Sequence, residues 1–227
     1  MSVDVAAKLL DYSATPAEAS LRSLLGGALT ADWRQALIAR GYGWHVDVGA
    51  FSMPITGGGN GTVLDQDQPE FAVGVPSGYT LIPLRVDIAV EPGLQTTDSH
   101  ETEILLAADV AATFALGSGA GTVESAVNLR TSTSGACPAT VYSALTGDIT
   151  NPTLGLELAH RAQLTDVQGT AATVNLMSLN LLYEPLRPPF LVGPCALYGY
   201  WGGSIAAVGF ANLDFLLIPS TLITGLS

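Results

Sequence analysis

Between Arg187 and Asp214 the chain runs for 26 residues, PPFLVGPCALYGYWGGSIAAVGFANL, without one charged side chain. About 20 apolar residues suffice for a helix to cross a bilayer. Five glycines and three prolines divide this run, however, into pieces of strand length, and a helix interior tolerates neither residue well. It reads as turn, strand, turn and strand rather than as a membrane span. Tyr198 and Tyr200 share one strand face, with Leu197, Gly199 and Trp201 on the other, so both faces are apolar or amphipathic. A strand with one face in water ordinarily carries charge there. The expectation is that a copy of the same chain or a neighbouring subunit covers the second face.

The same two-residue period governs the chain after Gly41. In GWHVDVGAF, Trp44, Val46 and Val48 fall on one face, with His45 and Asp47 on the other. In YTLIPLRVDIAVEP, Ile82, Leu84, Val86, Ile88 and Val90 alternate with Pro83, Arg85, Asp87 and Glu91, which sends the first set into a core. Further strands are expected over 103–108, 111–116, 122–130, 139–145, 154–164, 172–183, 196–201 and 211–218, separated by turn material such as GSGAG and TGDITNP. Short strands without intervening helices select a sandwich or barrel over a βαβ fold.

Residues 1–41 read differently. Thr15-Pro16-Ala17-Glu18 is a capping box with proline at the first helical position, and Leu21, Leu24 and Leu25 then share a helical face until Gly26-Gly27. A second short helix starts from Thr30, carries Asp32 in its first turn, then Trp33, Leu37 and Ile38, and stops at Gly41. The expected organisation is a helical arm over 1–41 and one β domain over 42–227. The opening residues lack the charged lead and long apolar core of a secretory signal.

Charge narrows the function. Charged residues make up 12% of the chain, about half the usual share. Acidic residues outnumber basic ones by 20 to 8, and Lys8 is the only lysine. A net charge of −12 without a basic cluster argues against binding nucleic acid or anionic membranes, which need grouped Lys or Arg. Lysine is depleted where proteins meet one another, so its scarcity fits a surface largely covered in an assembly, or an acidic or saline source.

Few residues announce a chemistry. GGGNG at 57–61 lacks the Lys-Ser/Thr of a phosphate loop and reads as a flexible turn; Ser118 in GSGAG is misplaced for a nucleophile elbow. His45, His100 and His160 show no paired ligand spacing. The two places where oxygen or imidazole donors gather are DSHETE, with Asp98, His100, Glu101 and Glu103, and the Asp65, Asp67, Glu70 group, which could hold Ca²⁺ without having EF-hand spacing. A solvated acidic surface is the preferred reading of both. Cys137 and Cys195 could pair or remain as buried thiols, and free thiols are preferred for a core this large. No enzyme activity, cofactor or resident metal is expected.

GYTLIPLRVDIAVEPG and LVGPCALYGYWGGSIAAVGFANLDFLLIPS resemble the strands of viral and bacteriophage single jelly-roll virion proteins, both capsid subunits and trimeric cement or decoration proteins. The likeness covers about 42–220 and lies in the general character of the chain, with its uncharged strands, Gly/Ala/Thr/Ser-rich turns, short N-terminal arm and apolar closing strand pair. It implies an all-β, jelly-roll-like antiparallel β-sandwich with a short N-terminal helical arm, acting in a virion as a lattice-stabilising homotrimer that contacts major capsid or other virion proteins. Under this reading Trp33, Leu37, Tyr198, Tyr200 and Trp201 are the expected interface residues. The alternative is a carbohydrate- or receptor-binding jelly-roll module of a fibre, with Trp44, Tyr198, Tyr200 and Trp201 as an aromatic platform.

Overall fold

The structure, a computed structural model, describes residues 32–60, 64–92, 100–110, 121–133, 135–145, 149, 153–165, 178–203 and 207–223. The helix expected from Thr15, the strand expected over 111–116 and the first part of that over 172–183 lie outside these residues. The described chain opens with helix α1 (Trp33–Ala39), followed by β1 (Gly43–Val48), β2 (Ile55–Thr56), β3 (Gly59–Asn60), β4 (Phe71–Val75), β5 (Tyr79–Glu91) and β6 (His100–Asp109). Then come β7 (Thr122–Glu124), β8 (Val127–Asn128), β9 (Thr140–Ser143), β10 (Leu156–Thr165), β11 (Leu179–Tyr183), β12 (Leu191–Val192), β13 (Cys195–Gly203) and β14 (Val208–Pro219). None of the described helices is long and apolar enough to cross a membrane.

Two sheets face each other. The first has the order β11-β5-β14-β1-β8 and the second β10-β6-β13-β4-β9-β7, with β12 and β2 added to the first and β3 to the second. All pairings are antiparallel among the described residues except the short one between β3 and β13. Taking β1, β4, β5, β6, β10, β11, β13 and β14 as strands one to eight, the orders become 1-8-3-6 and 2-7-4-5. That is the connectivity of a jelly roll: two Greek keys folded so that their strands are shared between the two sheets. The all-β sandwich expected from the alternation is therefore what the chain forms.

The inner faces share one core, with Val46, Val48, Val86, Ile88, Leu213 and Phe215 from the first sheet meeting Phe71, Val73, Ile104, Leu106, Leu197 and Trp201 from the second. Every residue of β13 is buried, which is why a charge-free sequence is tolerated there. What covers its second face, however, is the chain itself. Tyr198 and Tyr200 pack on the outer side of the second sheet under Leu64, Leu145 and Ile149, contributed by the loops after β3 and β9. With exposures of 0%, 1% and 0%, Tyr198, Tyr200 and Trp201 are interior residues of one chain and present no surface to a partner.

The long β5 strand also departs from its expected alternation. Its pairing with β14 slips where Asp214 faces Arg85 and Phe215 faces Pro83, leaving Leu84 as an extra residue. One inserted residue reverses the side on which every preceding side chain points. Val86, Ile88 and Val90 consequently enter the core between the sheets, whereas Ile82 and Leu84 emerge on the outer face beside Leu216 and Ile218. There Leu37 and Ile38 of α1, with Tyr42 and Ile223, close over them. The arm's second helix thus packs on the outer face of the first sheet, where Leu37 is partly buried.

Asp32 caps α1 by accepting the Arg34 backbone N–H at 3.2 Å, and Gly41, at φ +87°, turns the chain into β1. Arg34 holds the helix down, its Nη2 donating to the carbonyls of Pro185 and Leu186 at 2.8 and 3.2 Å. The strand expected over 122–130 is divided between the sheets, β7 pairing with β9 and β8 with β1. The division follows from Asn128, whose side chain donates to the Gly41 carbonyl at 2.7 Å and accepts from the Arg130 N–H at 2.9 Å, tying this segment to the first sheet.

Candidate functional site

A buried polar feature is built around Glu70, just before β4. Its Oε1 accepts the Gly58 N–H at 2.5 Å and its Oε2 accepts the Trp201 N–H at 2.7 Å, so one carboxyl joins the β2–β3 loop to the middle of β13. The Glu70 backbone is held as firmly, its N–H donating to Gly199 O at 3.0 Å and its carbonyl accepting from Ala144 N–H at 2.9 Å. Trp201 Nε1 donates to Ile55 O at 3.1 Å, which seats β2 against the same place. Gly57 is required for this closeness: a Cβ there would stand 2.2 Å from Trp201 O. Burial pushes the Glu70 carboxyl up to about 8, against the downward pull of the Gly58 and Trp201 N–H groups.

Beside Glu70 lies an open cleft of about 300 Å³ lined by Pro54, Ile55, Thr56, Glu70, Ala144 and Leu145. Ala144 takes φ +49°, a conformation costly for an L-residue, at the lip of this cleft. The volume sits at the lower end of the range for small-molecule sites. Both oxygens of Glu70 are committed to backbone donors, so the carboxyl works as a latch between strands.

The other donor groups are dispersed. Asp65 and Asp67 form a surface turn, the Asp67 N–H donating to Asp65 Oδ1 at 3.1 Å, while Glu70 points inward to Trp201; the three expected as a candidate Ca²⁺ group do not converge. Of the DSHETE group, Asp98 and the His100 side chain lie outside the described residues. Glu103 faces His160 at 3.6 Å on the outside of the second sheet. Burial and the neighbouring Glu101 raise its carboxyl, partly offset by His160. Among the described residues no group of three or more His, Cys, Asp or Glu could hold a metal ion.

His45, on the outer face of the first sheet, stands between two carboxylates, Nδ1 at 2.7 Å from Asp214 and Nε2 at 3.1 Å from Asp47. Partial burial disfavours its charge, but the hydrogen bond to Asp214 and the charge of Asp47 outweigh it and raise the imidazole above its ordinary value. Cys137 and Cys195 are free thiols, both pushed up to about 11 by burial.

Of the expected interface residues, only Trp33 keeps a substantial exposed surface, its ring 5.6 Å from the Arg34 guanidinium. Trp44 is buried together with Tyr198, Tyr200 and Trp201, which removes the aromatic platform of the glycan-binding alternative. Glu70 was visible in the sequence only as one acid among several; the GGG turn at 57–59 and the distant Trp201 gave no sign of converging on it. Comparison with family models, curated proteins and solved structures gives no match.

Proposed function

We propose that this chain is a virion structural protein, a capsid shell or cement subunit that stabilises a lattice through homo-oligomeric contacts, with a trimer as the building unit. The observation that carries the reading is the strand order 1-8-3-6 and 2-7-4-5, which places two broad sheet faces back to back around one core. Such a block can tile by its outer faces and loops, and virion subunits use the same architecture. Lectins and cupins use it as well, so surface chemistry has to separate the three. Here the large aromatics Trp44, Tyr198, Tyr200 and Trp201 are interior, and His45 and His160 lie on the outer faces of different sheets rather than together inside the sandwich. Low charge and a single lysine add to the case for extensive protein contacts.

The reading is tested by electron microscopy of the concentrated protein, alone and mixed with capsids that lack it. Rings, lattice patches or decorated particles are expected. Isolated single-chain particles in every sample would overturn it.

A further inference from the structure

A basic, apolar region surrounds α1. Four of the seven arginines gather there. Arg34 bonds the carbonyls of Pro185 and Leu186, which brings Arg187 to the start of the helix. Arg40 caps the other end, and Arg130 follows Leu129, whose N–H donates to Gly43 O at 2.9 Å just beyond the helix. Within segments 32–42, 127–133 and 184–192 the four arginines accompany two acids, Asp32 and Glu184, a balance of +2 in these segments on a chain of −12.

The same region holds exposed apolar side chains. Leu191 is in the core, so strand alternation turns Phe190 and Val192 outward, where they are 50% and 58% exposed. Leu186 is 93% exposed and Trp33 42%. Exposed apolar side chains among arginines suit a protein contact, where aromatic residues and arginine are enriched.

A complementary strip lies on the second sheet. On its edge strand β10, Leu164 is 70% exposed and the Glu157 side chain 63%. Glu101 and Glu103 of β6 stand beside it, opposite Leu164 and Ala162. The nearby cation Arg161 is turned toward the first sheet, donating to Asn180 O at 3.1 Å.

We infer that the arginine-rimmed apolar face around α1 docks the acidic β10 edge of a second copy of this chain. The inference rests on the assembly reading above and names the surfaces that would build it. Because the two surfaces differ, the contact is heterologous: successive copies join head to tail and either close into a ring or extend. Opposite charge sets the pairing and makes it weaken with salt.

Sedimentation velocity of the full chain, with three variants, tests this. Arg130→Glu with Arg187→Glu should raise the dissociation constant by about tenfold or more, and Glu101→Arg with Glu157→Arg should do the same. The chain carrying all four changes should associate again, because the charges are exchanged rather than lost. If the unaltered chain assembles but neither double variant weakens it, or the fourfold variant fails to recover, these surfaces are wrong and the assembly reading stands. If the unaltered chain remains a monomer at every concentration, both fall.

Discussion

Glu70 Oε2 accepts the Trp201 backbone N–H at 2.7 Å, fastening the start of β4 to the middle of β13. Its other oxygen holds Gly58, so a single buried carboxyl satisfies two backbone donors from segments far apart in sequence. Glu70→Ala leaves both N–H groups without this acceptor, at roughly 1–3 kcal/mol for the buried Trp201 N–H and less for the part-buried Gly58 N–H. At about 2–4 °C per kcal/mol for a chain of this size, thermal unfolding should fall by at least several degrees. Calorimetry checks this; an unchanged midpoint would show that the latch contributes nothing.

Burial raises Glu70 from 4.5 to about 8, so between those values the folded chain binds more protons than the unfolded one. Stability therefore falls as pH rises through that window. His45, also raised, adds a loss of the same sign above its ordinary value of 6.5, screened by its partial exposure. Urea unfolding at a series of pH values should show a decline from mildly acidic to mildly basic conditions, shallower in Glu70→Gln. A rise over the same range would contradict the assignment.

Trp201→Glu should unfold the chain rather than merely separate its copies, because the ring is fully buried against Phe71, with centroids 6.3 Å apart. An unpaired charge and a lost aromatic at this site cost more than about 4 kcal/mol. Circular dichroism should show loss of the β signal. A folded, well-behaved monomer would mean that the ring faces outward after all.

The bulge at Leu84 has a measurable consequence. Ile82 is fully buried on the outer side of the first sheet, under α1. Ile82→Ala should cost about 2–5 kcal/mol, as for a core position, and should increase hydrogen exchange in α1. If exchange in residues 33–40 is unaffected, the helix does not lie over Ile82.

Two glycines separate crowding from backbone strain. A Cβ at Gly199 would stand 1.9 Å from the Phe71 ring, whereas at Gly78, with φ +83°, it would meet nothing within 4 Å. Gly78→Ala should cost about 1–2 kcal/mol from its left-handed conformation alone. Gly199→Ala should cost more, since overpacking forces the ring and strand to move. Equal losses, read from denaturant midpoints, would argue against the β4–β13 contact.

The sheet architecture was legible because alternation is local: Trp44, Val46 and Val48 announce their face within five residues. The bulge was not, since β5 alternates perfectly on paper and only its pairing with β14 shows Leu84 to be supernumerary. Nor could the sequence reveal that loops at Leu64 and Ile149 cover Tyr198 and Tyr200, because burial by a distant loop leaves no periodic trace. The arm's second helix was readable from the spacing of Trp33, Leu37 and Ile38 and from Gly41, but Asp32, expected inside a first turn begun from Thr30, is its cap; its target, Ile82 and Leu84, depended on the unseen bulge. Leu186 and Phe190, exposed beside Arg187, looked in the sequence like any other turn.

Assembly is the claim on which the functional reading depends, and sedimentation velocity of the full chain over a wide concentration range addresses it most directly. The expected result is a species of three chains, or a ring or larger multiple, that loosens as salt is raised. A single monomeric boundary at the highest concentration, unchanged by lowering the salt, would contradict it.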